Sequence, residues 1–214
     1  MEDIEAIAVL QDPVRRRLYD YVVSQEHDVS RNEAAEGAGI QRTLAAFHLD
    51  KLVDAGLLET ESKRLSGRSG PGAGRPAKLY RRSGAERQFS VPARDYRTAA
   101  DLLAEVAEVA RLDTELQAAA RREGRAAAGP VEDLAAAKEL LAARGYEPRV
   151  DGDVLRLVNC PFHVLSQRHP GLVCGMNLAL LEGLLEDADG LTARMDPRPG
   201  LCCVVVECSK NNES

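Results

Sequence analysis

The residues of this sequence best suited to chemistry are five cysteines, all of which lie within the last 55 positions of the 214-residue chain. They are Cys160, Cys174, Cys202, Cys203 and Cys208. Two histidines, His163 and His169, lie between the first two cysteines. Cysteine thiolates hold iron–sulfur clusters, and thiolates combined with imidazoles hold zinc. The residue types therefore predict an iron–sulfur or metal site, although their spacing is looser than that of a C-x2-C pair.

The elements expected around these cysteines alternate between helices and strands. Cys160 ends a predicted strand, and Cys174 lies in the first turn or so of a predicted helix. Cys202 and Cys203 lie on the last predicted strand, where neighbouring side chains point to opposite faces. We therefore expect only one of this adjacent pair to face a given site. The order αββαββ predicts a small α/β sandwich over residues 129–214, with one face of its sheet covered by helices.

The residue types and their spacing leave two alternative functions of the cysteines open. Cys160, Cys174 and Cys203 are alternatively redox thiols that form a disulfide or a sulfenate without metal. Cys160 or Cys174 is alternatively an enzymatic nucleophile, with His163 or His169 as its base. The sequence contains no G-x-S-x-G, P-loop or H-E-x-x-H pattern and no complete catalytic triad, so we do not expect an enzyme.

The N-terminal part of the chain predicts three helices followed by a β-hairpin. Residues 4–25 have the apolar spacing of an amphipathic helix. Ser30 and Glu33 form a capping box for the second helix, and the third helix ends at Gly56. Two short strands then flank a Gly/Pro-rich segment, residues 66–76. This order predicts a winged helix-turn-helix fold, within a chain of the α+β class.

Positive charge is concentrated on this predicted hairpin. Residues 63–87 contain eight basic side chains and one acidic side chain, although the whole chain has a net charge of −6. A basic segment in an otherwise neutral half favours a polyanion-binding module.

The third predicted helix and the hairpin supply the candidate DNA contacts. In a helix-turn-helix, the second helix of the pair places its N-terminal side chains in the major groove. Arg42 is suited to guanine, and Thr43 to a phosphate or a thymine methyl group. His48 is expected either to contact phosphate or to pack within the domain, while cations of the hairpin contact phosphate or the minor groove. The predicted DNA-binding residues are Gln41, Arg42, Thr43, His48, Arg75 and Lys78.

An alanine-rich segment, residues 93–127, is predicted to be helical and to join the two halves. Its apolar stripe consists of Ala99, Leu102, Leu103, Val106, Val109 and Ala110. We expect this stripe to form the seam of a homodimer that binds an inverted-repeat operator, the alternative being packing within one chain. The predicted domains are residues 1–88 for DNA binding, 89–128 for linkage and dimerisation, and 129–214 for sensing.

The N-terminal sequence and the hydropathy pattern predict a cytoplasmic location. No apolar run approaches the roughly 18 residues that a membrane-spanning helix needs. The start, MEDIEAIAVLQDPVRRR, has no basic region ahead of an apolar stretch, so no secretory signal is expected. Reduced cysteines are expected in that compartment, and their odd number argues against a disulfide framework.

Three stretches of the N-terminal part carry a resemblance to a known family. DPVRRRLYDYV, TLAAFHLDKLVDAGLLE and GAGRPAKLYR resemble the winged-helix domain of ArsR-type bacterial transcriptional regulators. The resemblance covers roughly residues 8–83. It implies a DNA-binding transcriptional regulator that acts on double-stranded DNA.

The cysteine-containing part resembles a more specific group. NCPFH, LVCGMNLALLEGLL and ARMDPRPGLCCV are similar to the C-terminal sensor domain of SufR-like repressors, which bind an iron–sulfur cluster. The family's cysteine spacing, counted from Cys174, puts the third cysteine at Ala188 and the fourth at Cys203, which favours Cys203 over Cys202. The missing ligand is then His163, His169, Asp187 or Asp189, or the cluster is absent.

This second resemblance implies a repressor that senses iron–sulfur or metal status. Zinc, or no cofactor at all, is the alternative to a cluster. A regulator without metal that responds to thiol redox state or to a small ligand is the alternative function.

Overall fold

The computed structural model describes residues 2–25, 27–63, 77–87 and 90–208. The chain divides into two units, Met1–Arg94 and Asp95–Ser214, called here the N-terminal unit and the C-terminal unit. Each combines helices with an antiparallel sheet, so the structure is of mixed α and β character. The division into three segments, with residues 89–128 as a separate linker, stays a prediction. Among the described residues, no helix has both the length and the apolar character needed to cross a membrane.

The helices and hairpin strands predicted for the N-terminal unit are present with two differences. The helix predicted over residues 4–25 is divided into two helices, and a two-residue strand that was not predicted precedes the capping-box helix. The elements of the unit are α1 (Glu2–Val9), α2 (Pro13–Ser24), β1 (Val29–Ser30), α3 (Arg31–Ala38), α4 (Arg42–Asp54), β2 (Leu58–Lys63) and β3 (Ala77–Arg82). Side-chain caps begin α2 and α3. The Asp12 carboxylate accepts hydrogen bonds from the backbone N–H groups of Val14, at 2.8 Å, and Arg15, at 3.1 Å. The Ser30–Glu33 capping box is present as predicted and begins α3.

The N-terminal unit also contains a three-stranded sheet. Its strands are antiparallel in the order β1-β3-β2, and the β2–β3 register pairs Leu58 with Arg82 and Lys63 with Ala77. The core contains Leu18, Val22, Val29, Ala34, Ala35, Ala45, Leu49, Leu52, Leu58 and Tyr80. Residues 64–76, with the predicted hairpin loop and Arg75, lie outside the described residues.

The C-terminal unit contains the cysteines. Its elements are α5 (Tyr96–Val109), α6 (Asp113–Ala126), α7 (Leu134–Ala142), β4 (Pro148–Asp151), β5 (Val154–Leu157), α8 (His163–Arg168), α9 (Pro170–Leu184), β6 (Leu191–Met195) and β7 (Val204–Cys208). The predicted order αββαββ is present from α7 onward, with the short helix α8 added before α9. The strands are antiparallel in the order β4-β5-β7-β6.

The helical segment predicted over residues 93–127 is two helices rather than one. Arg111 has a φ of 55°, in the left-handed region that ends a helix. Asp113 and Glu115 in the first turn of α6 favour a new N-terminus there, because acidic side chains stabilise the positive end of the helix dipole. The break therefore separates α5 from α6, and the two helices have different surroundings.

Helix α6 packs against α9 at two glycines. A Cβ atom on Gly124 would overlap the carbonyl oxygen of Leu180, and a Cβ atom on Gly183 would overlap the carbonyl oxygen of Arg121. The two backbones therefore approach as closely as glycine allows. One side of α6, at Ala120 and Gly124, is therefore buried against the same chain, as in the alternative of packing within one chain. The dimer seam itself stays a prediction.

The core of the C-terminal unit lies between the sheet and the helices. It contains Val131, Ala137, Leu141, Tyr146, Leu155, Leu157, Leu181, Leu184, Leu185, Leu191, Cys202, Val204 and Val206. The β4–β5 turn includes Gly152 with a φ of 62°, as the sequence Asp-Gly-Asp predicts. Cys202 is thus one of the buried residues of this core.

Candidate functional site

Four cysteine thiols of the C-terminal unit interact directly with one another. Cys160 interacts with Cys202, Cys202 with Cys203, and Cys203 with Cys174. We call these four residues the cysteine quartet. They come from the segment after β5, from α9 and from the segment before β7, which are far apart in sequence. The fold therefore assembles the quartet, and no local spacing contains it.

Cys202 and Cys203 both join the quartet, which corrects the expectation that only one of them could. The strand β7 begins at Val204, so the two cysteines precede it instead of lying on it. Their backbone is held from both sides, because the Cys202 N–H donates to Leu157 O at 2.8 Å and the Asp196 N–H donates to Cys203 O at 2.8 Å. The alternation of side chains along a strand does not apply to this irregular segment.

A buried polar network supports Cys202. The Asn177 side-chain amide donates to Cys202 Sγ at 3.3 Å, and the Tyr146 hydroxyl donates to Asn177 Oδ1 at 2.5 Å. Asn177 is 1 % exposed, and Tyr146 and Cys202 are each 3 % exposed. Each of the two donors thus has an acceptor inside the apolar core, which avoids the cost of unpaired buried polar groups.

The cysteines of the quartet shift one another's pKa in opposite directions. The pKa of Cys202 is lowered to about 3, first by the hydrogen bond from Cys160 and then by that from Cys203, with a smaller contribution from Asn177. The same interaction with Cys202 raises the pKa of Cys160 and of Cys203, and burial adds to both shifts. Burial is the first cause that raises the pKa of Tyr146, so its hydroxyl stays a donor. Within the quartet, Cys202 is therefore the cysteine whose thiolate form its neighbours favour.

The other predicted ligands have different surroundings. His163 Nε2 lies 2.9 Å from the Gln167 side-chain amide. His169 contacts two carboxylates of α5, with Nδ1 at 2.7 Å from Glu108 and Nε2 at 3.4 Å from Asp101. Both ring nitrogens of His169 thus face carboxylates, and its role as a metal ligand stays a prediction. Asp187 and Asp189 are exposed after α9.

The residue types of the quartet fit an iron–sulfur cluster, for which four cysteines are the usual ligands. In the part of the chain that the structure describes, no group of three or more histidine, cysteine, aspartate or glutamate side chains is arranged around a point suited to a metal ion. The thiols contact one another instead. Such contacts also bring sulfur atoms together for disulfide exchange.

The candidate DNA-contacting residues of the N-terminal unit lie at the start of α4. Gln41 precedes the helix, and Arg42 and Thr43 occupy its first two positions. All three are exposed. On the opposite side, Leu49 and Leu52 are fully buried and anchor α4 in the core. The predicted residues are therefore held outward by a rigid helix.

An ion-pair network joins α4 to the sheet. Lys78 Nζ on β3 lies 2.7 Å from the Asp50 carboxylate, and the Tyr80 hydroxyl donates to the same oxygen at 3.2 Å. Arg31 Nε donates to the Tyr80 hydroxyl at 2.9 Å. Burial would raise the pKa of Asp50, but the hydrogen bonds from Lys78 and Tyr80 outweigh it and lower the pKa. Lys78 is thus paired with Asp50, and its contact with DNA stays a prediction, as does that of Arg75.

A comparison with known protein families bears on this unit. Residues 10–61, from the end of α1 into β2, match the family model of a helix-turn-helix domain. The N-terminal unit contains a helix-turn-helix domain. This match supports a role in DNA-binding transcription regulation. No curated protein and no solved structure matches the chain.

Within the helix-turn-helix domain, His48 requires a correction. It is 7 % exposed, so its side chain is not available to a phosphate on the surface. It packs edge-to-face against Phe47, with the ring centroids 5.2 Å apart. His48 lies on the buried side of α4 because it is three positions after Ala45 and four before Leu52, which are both fully buried. This burial agrees with the alternative expectation, that His48 packs within the domain.

The sequence reasoning missed Tyr146 and Asn177. Asn177 carried a usable signal, since it is a polar residue four positions from Val173 and from Leu181 on the apolar face of a helix. Such a residue is buried only with partners. Tyr146 gave no comparable signal, because its contact with Asn177 depends on the tertiary fold.

Proposed function

We propose that this chain is a DNA-binding transcriptional repressor that acts as a homodimer in the cytoplasm and responds through its cysteine quartet. The observation that carries the proposal is a helix-turn-helix segment whose second helix exposes Gln41, Arg42 and Thr43. A regulator, rather than an enzyme, is the function that this domain favours. The quartet is then the responsive part of the molecule.

DNA binding in this proposal uses a winged helix. Helix α4 enters the major groove, and the β2–β3 pair is the base of a wing whose loop includes Arg75. Lys78 would exchange Asp50 for a DNA phosphate as the wing docks. The asymmetric charge of the chain supports this arrangement, because the basic side chains are concentrated in residues 63–87.

The homodimer is proposed to form through α5. Leu102, Leu103, Val106 and Val109 on this helix are 58 to 82 % exposed, and Tyr96 is 65 % exposed. A stripe of large apolar side chains on one helix is an unfavourable surface for a monomer. A second copy of α5 would cover it, and the two helix-turn-helix domains would then bind an inverted repeat.

The dimer is tested with the double variant Leu103→Glu/Val106→Glu. Charges in an apolar seam are unpaired on association, so we expect the variant to be monomeric by light scattering after size-exclusion chromatography. Glu105→Gln on the same helix is the matched control and leaves the mass unchanged. A parent protein that is already monomeric at micromolar concentration would contradict the proposed dimer interface on α5.

The quartet is proposed to hold an iron–sulfur cluster, with Cys160, Cys174, Cys202 and Cys203 as its ligands and a small α/β sandwich as its support. Such a group, when bound, supplies a redox- and oxygen-sensitive centre. Asn177 would donate its hydrogen bond to the ligand sulfur of Cys202, and Tyr146 would fix the orientation of Asn177. Hydrogen bonds of this kind adjust the potential of a thiolate-bound centre.

A thiol switch is the second candidate, favoured by the interaction between Cys202 and Cys160. With a hydroperoxide as oxidant, the thiolate form of Cys202 attacks the terminal peroxide oxygen, forms a sulfenic acid and expels hydroxide or alkoxide. The Cys160 thiol then attacks the sulfenic sulfur, and a disulfide forms with loss of water. The cysteines are oxidised by two electrons and the peroxide is reduced.

DNA recognition is tested on an operator selected from a random-sequence duplex library with the full chain. Arg42→Ala is expected to lose about 10- to 100-fold of the preference for the selected sequence. Arg75→Ala is expected to weaken binding to all sequences and to reduce the salt slope by about one. If both variants bind as the parent does, the winged-helix docking is wrong.

The cofactor is tested by anaerobic purification, with a visible spectrum and iron, sulfide and zinc analysis on one sample. Matched iron and sulfide that are lost in Cys160→Ser and Cys202→Ser, but kept in Cys208→Ser, support the cluster. Stoichiometric zinc without colour would replace the cluster with a single-ion site. A metal-free protein that loses two hydrogens on treatment with hydroperoxide would support the thiol switch.

A further inference from the structure

The outward face of α4 has an apolar centre. Phe47 is 57 % exposed, and Leu44, three positions earlier, is 42 % exposed. Residues three or four apart share one face of a helix, so these two side chains lie together with Thr43. The acidic residues of α4, Asp50 and Asp54, lie in its C-terminal half. A polyanion would therefore meet the N-terminal half and the middle of the helix.

Phe47 is held in this outward position. Its neighbours Ala45 and Leu49 are fully buried and fix the rotation of the helix. The Phe47 ring packs edge-to-face on His48, with an interplanar angle of 72° and the ring centroids 5.2 Å apart. His48 is thus a positioning residue for Phe47, and the exposed ring is part of the surface that the helix-turn-helix domain presents.

We propose that Phe47, aided by Leu44, recognises the 5-methyl groups of thymines in the operator major groove. The inference rests on the proposed DNA-binding function and specifies its ligand. Thymine is the base whose major-groove edge carries a methyl group, and phenylalanine is among the side chains that contact it. An apolar centre beside Arg42 and Thr43 would then select half-sites that place thymine next to the Arg42 contact.

The test replaces each thymine of the selected operator by deoxyuridine, one position at a time. This change removes the methyl group and leaves the hydrogen-bonding edge intact. For the full-length parent chain, we expect one or two positions in each half-site to lose about fourfold in affinity, the equivalent of burying one methyl group. With Phe47→Ala, the loss at those positions is expected to disappear. Fluorescence anisotropy at fixed salt measures both.

Matched variants keep the test specific. Ile7→Ala removes another exposed apolar side chain of the N-terminal unit, 46 % exposed, and should keep the uridine profile of the parent. His48→Ala should reduce the uridine effect without removing Arg42-dependent binding. Phe47 is exposed, so Phe47→Ala should melt at the temperature of the parent.

Three outcomes would overturn the inference. In one, uridine substitutions have no effect on the parent. In another, their effect survives in Phe47→Ala. In the third, Phe47→Ala changes the oligomeric state, which would assign the apolar face to a protein contact. A chain that selects no operator at all contradicts the proposed function itself, and is thereby distinguished from a failure of thymine recognition.

Discussion

The proposed working residues of the two units lie in opposite environments. In the N-terminal unit, Arg42 and Phe47 project from α4 into solvent, and the core behind them is built of apolar side chains. In the C-terminal unit, Cys202 and Asn177 lie in the core itself, at 3 % and 1 % exposure. The first unit thus presents a surface on a rigid support. In the C-terminal unit, the residues proposed to act in the functional site are also part of the hydrophobic core.

This difference determines how each unit responds to substitution. Exposed side chains on a helix are replaceable at little cost in folding free energy, so binding and stability are separable in the helix-turn-helix domain. A buried hydrogen-bonded network offers no such separation, because removal of one member leaves another without a partner. The predictions below test whether the two units differ in this way.

The largest effect is expected at the α6–α9 contact. Gly183→Ala places a methyl group against the Arg121 carbonyl oxygen, so one of the two backbones has to shift. We expect a loss of about 3 kcal/mol in the stability of the C-terminal unit, the upper range for overpacking. Hydrogen exchange of the full chain, followed by mass spectrometry of peptides, measures each unit separately.

A matched glycine of the same helix provides the control. Gly171 has no atom within 4 Å of the position that a Cβ would occupy. Gly171→Ala should therefore be neutral or slightly stabilising, since alanine is the better helix former. Equal exchange rates in the two variants would mean that the helices do not pack through Gly183. Faster exchange throughout the N-terminal unit would show that the units are not separable.

The next effect is expected at the buried network. Tyr146→Phe removes the hydroxyl that donates to Asn177 and leaves Asn177 Oδ1 buried without that donor. We expect a loss of about 2 kcal/mol in the C-terminal unit. Tyr96→Phe is the control, because Tyr96 is 65 % exposed. A Tyr146→Phe chain as stable as the control would mean that the interior of this unit tolerates unpaired polar atoms as a surface does.

The contrast between the units also explains how much the sequence could predict. Caps, such as Ser30 with Glu33, and apolar spacing are local signals. They located α3 and α4, but residues 4–25, predicted as one helix, are the two helices α1 and α2. The cysteine quartet depends on contacts between residues 160, 174 and 202–203, which no local pattern contains. The spacing argument placed Cys202 and Cys203 on a strand, whereas the strand begins one residue later. Both cysteines therefore belong to the quartet, which strand alternation had excluded.

The break after α5 is the second feature that local reasoning missed. The apolar stripe continues from Val106 through Leu112, so periodicity predicts a continuous helix. Arg111 in the left-handed conformation ends it, and arginine gives no sequence signal for that conformation. The helix that follows the break packs closely on α9 at glycines 124 and 183, a contact that periodicity also does not indicate.

A smaller effect is expected at a surface cap of the helix-turn-helix domain. Ser30→Ala removes the hydroxyl that accepts from the Glu33 backbone N–H at 3.3 Å. We expect a loss of about 1 kcal/mol, confined to the N-terminal unit. Ser62→Ala, at an exposed position on β2, is the control. An effect of the Ser30 variant on exchange in α9 peptides would contradict the independence of the two units.

The smallest effect concerns pH and the buried histidine of the C-terminal unit. The pKa of His169 is raised above its ordinary value of 6.5, first by the hydrogen bond to Glu108, with Asp101 adding to it. Because the folded protein binds this proton more tightly than the unfolded chain, the stabilisation is fully present below pH 6.5. It is lost as the pH rises through the raised pKa of the folded state.

His169→Gln should therefore flatten the dependence of C-terminal-unit stability on pH, measured by urea unfolding between about pH 6 and pH 8.5. His163→Gln is the matched control, since His163 contacts Gln167 instead of a carboxylate, and it should keep the slope. If the pH dependence persists in His169→Gln, a group other than His169 is responsible for it.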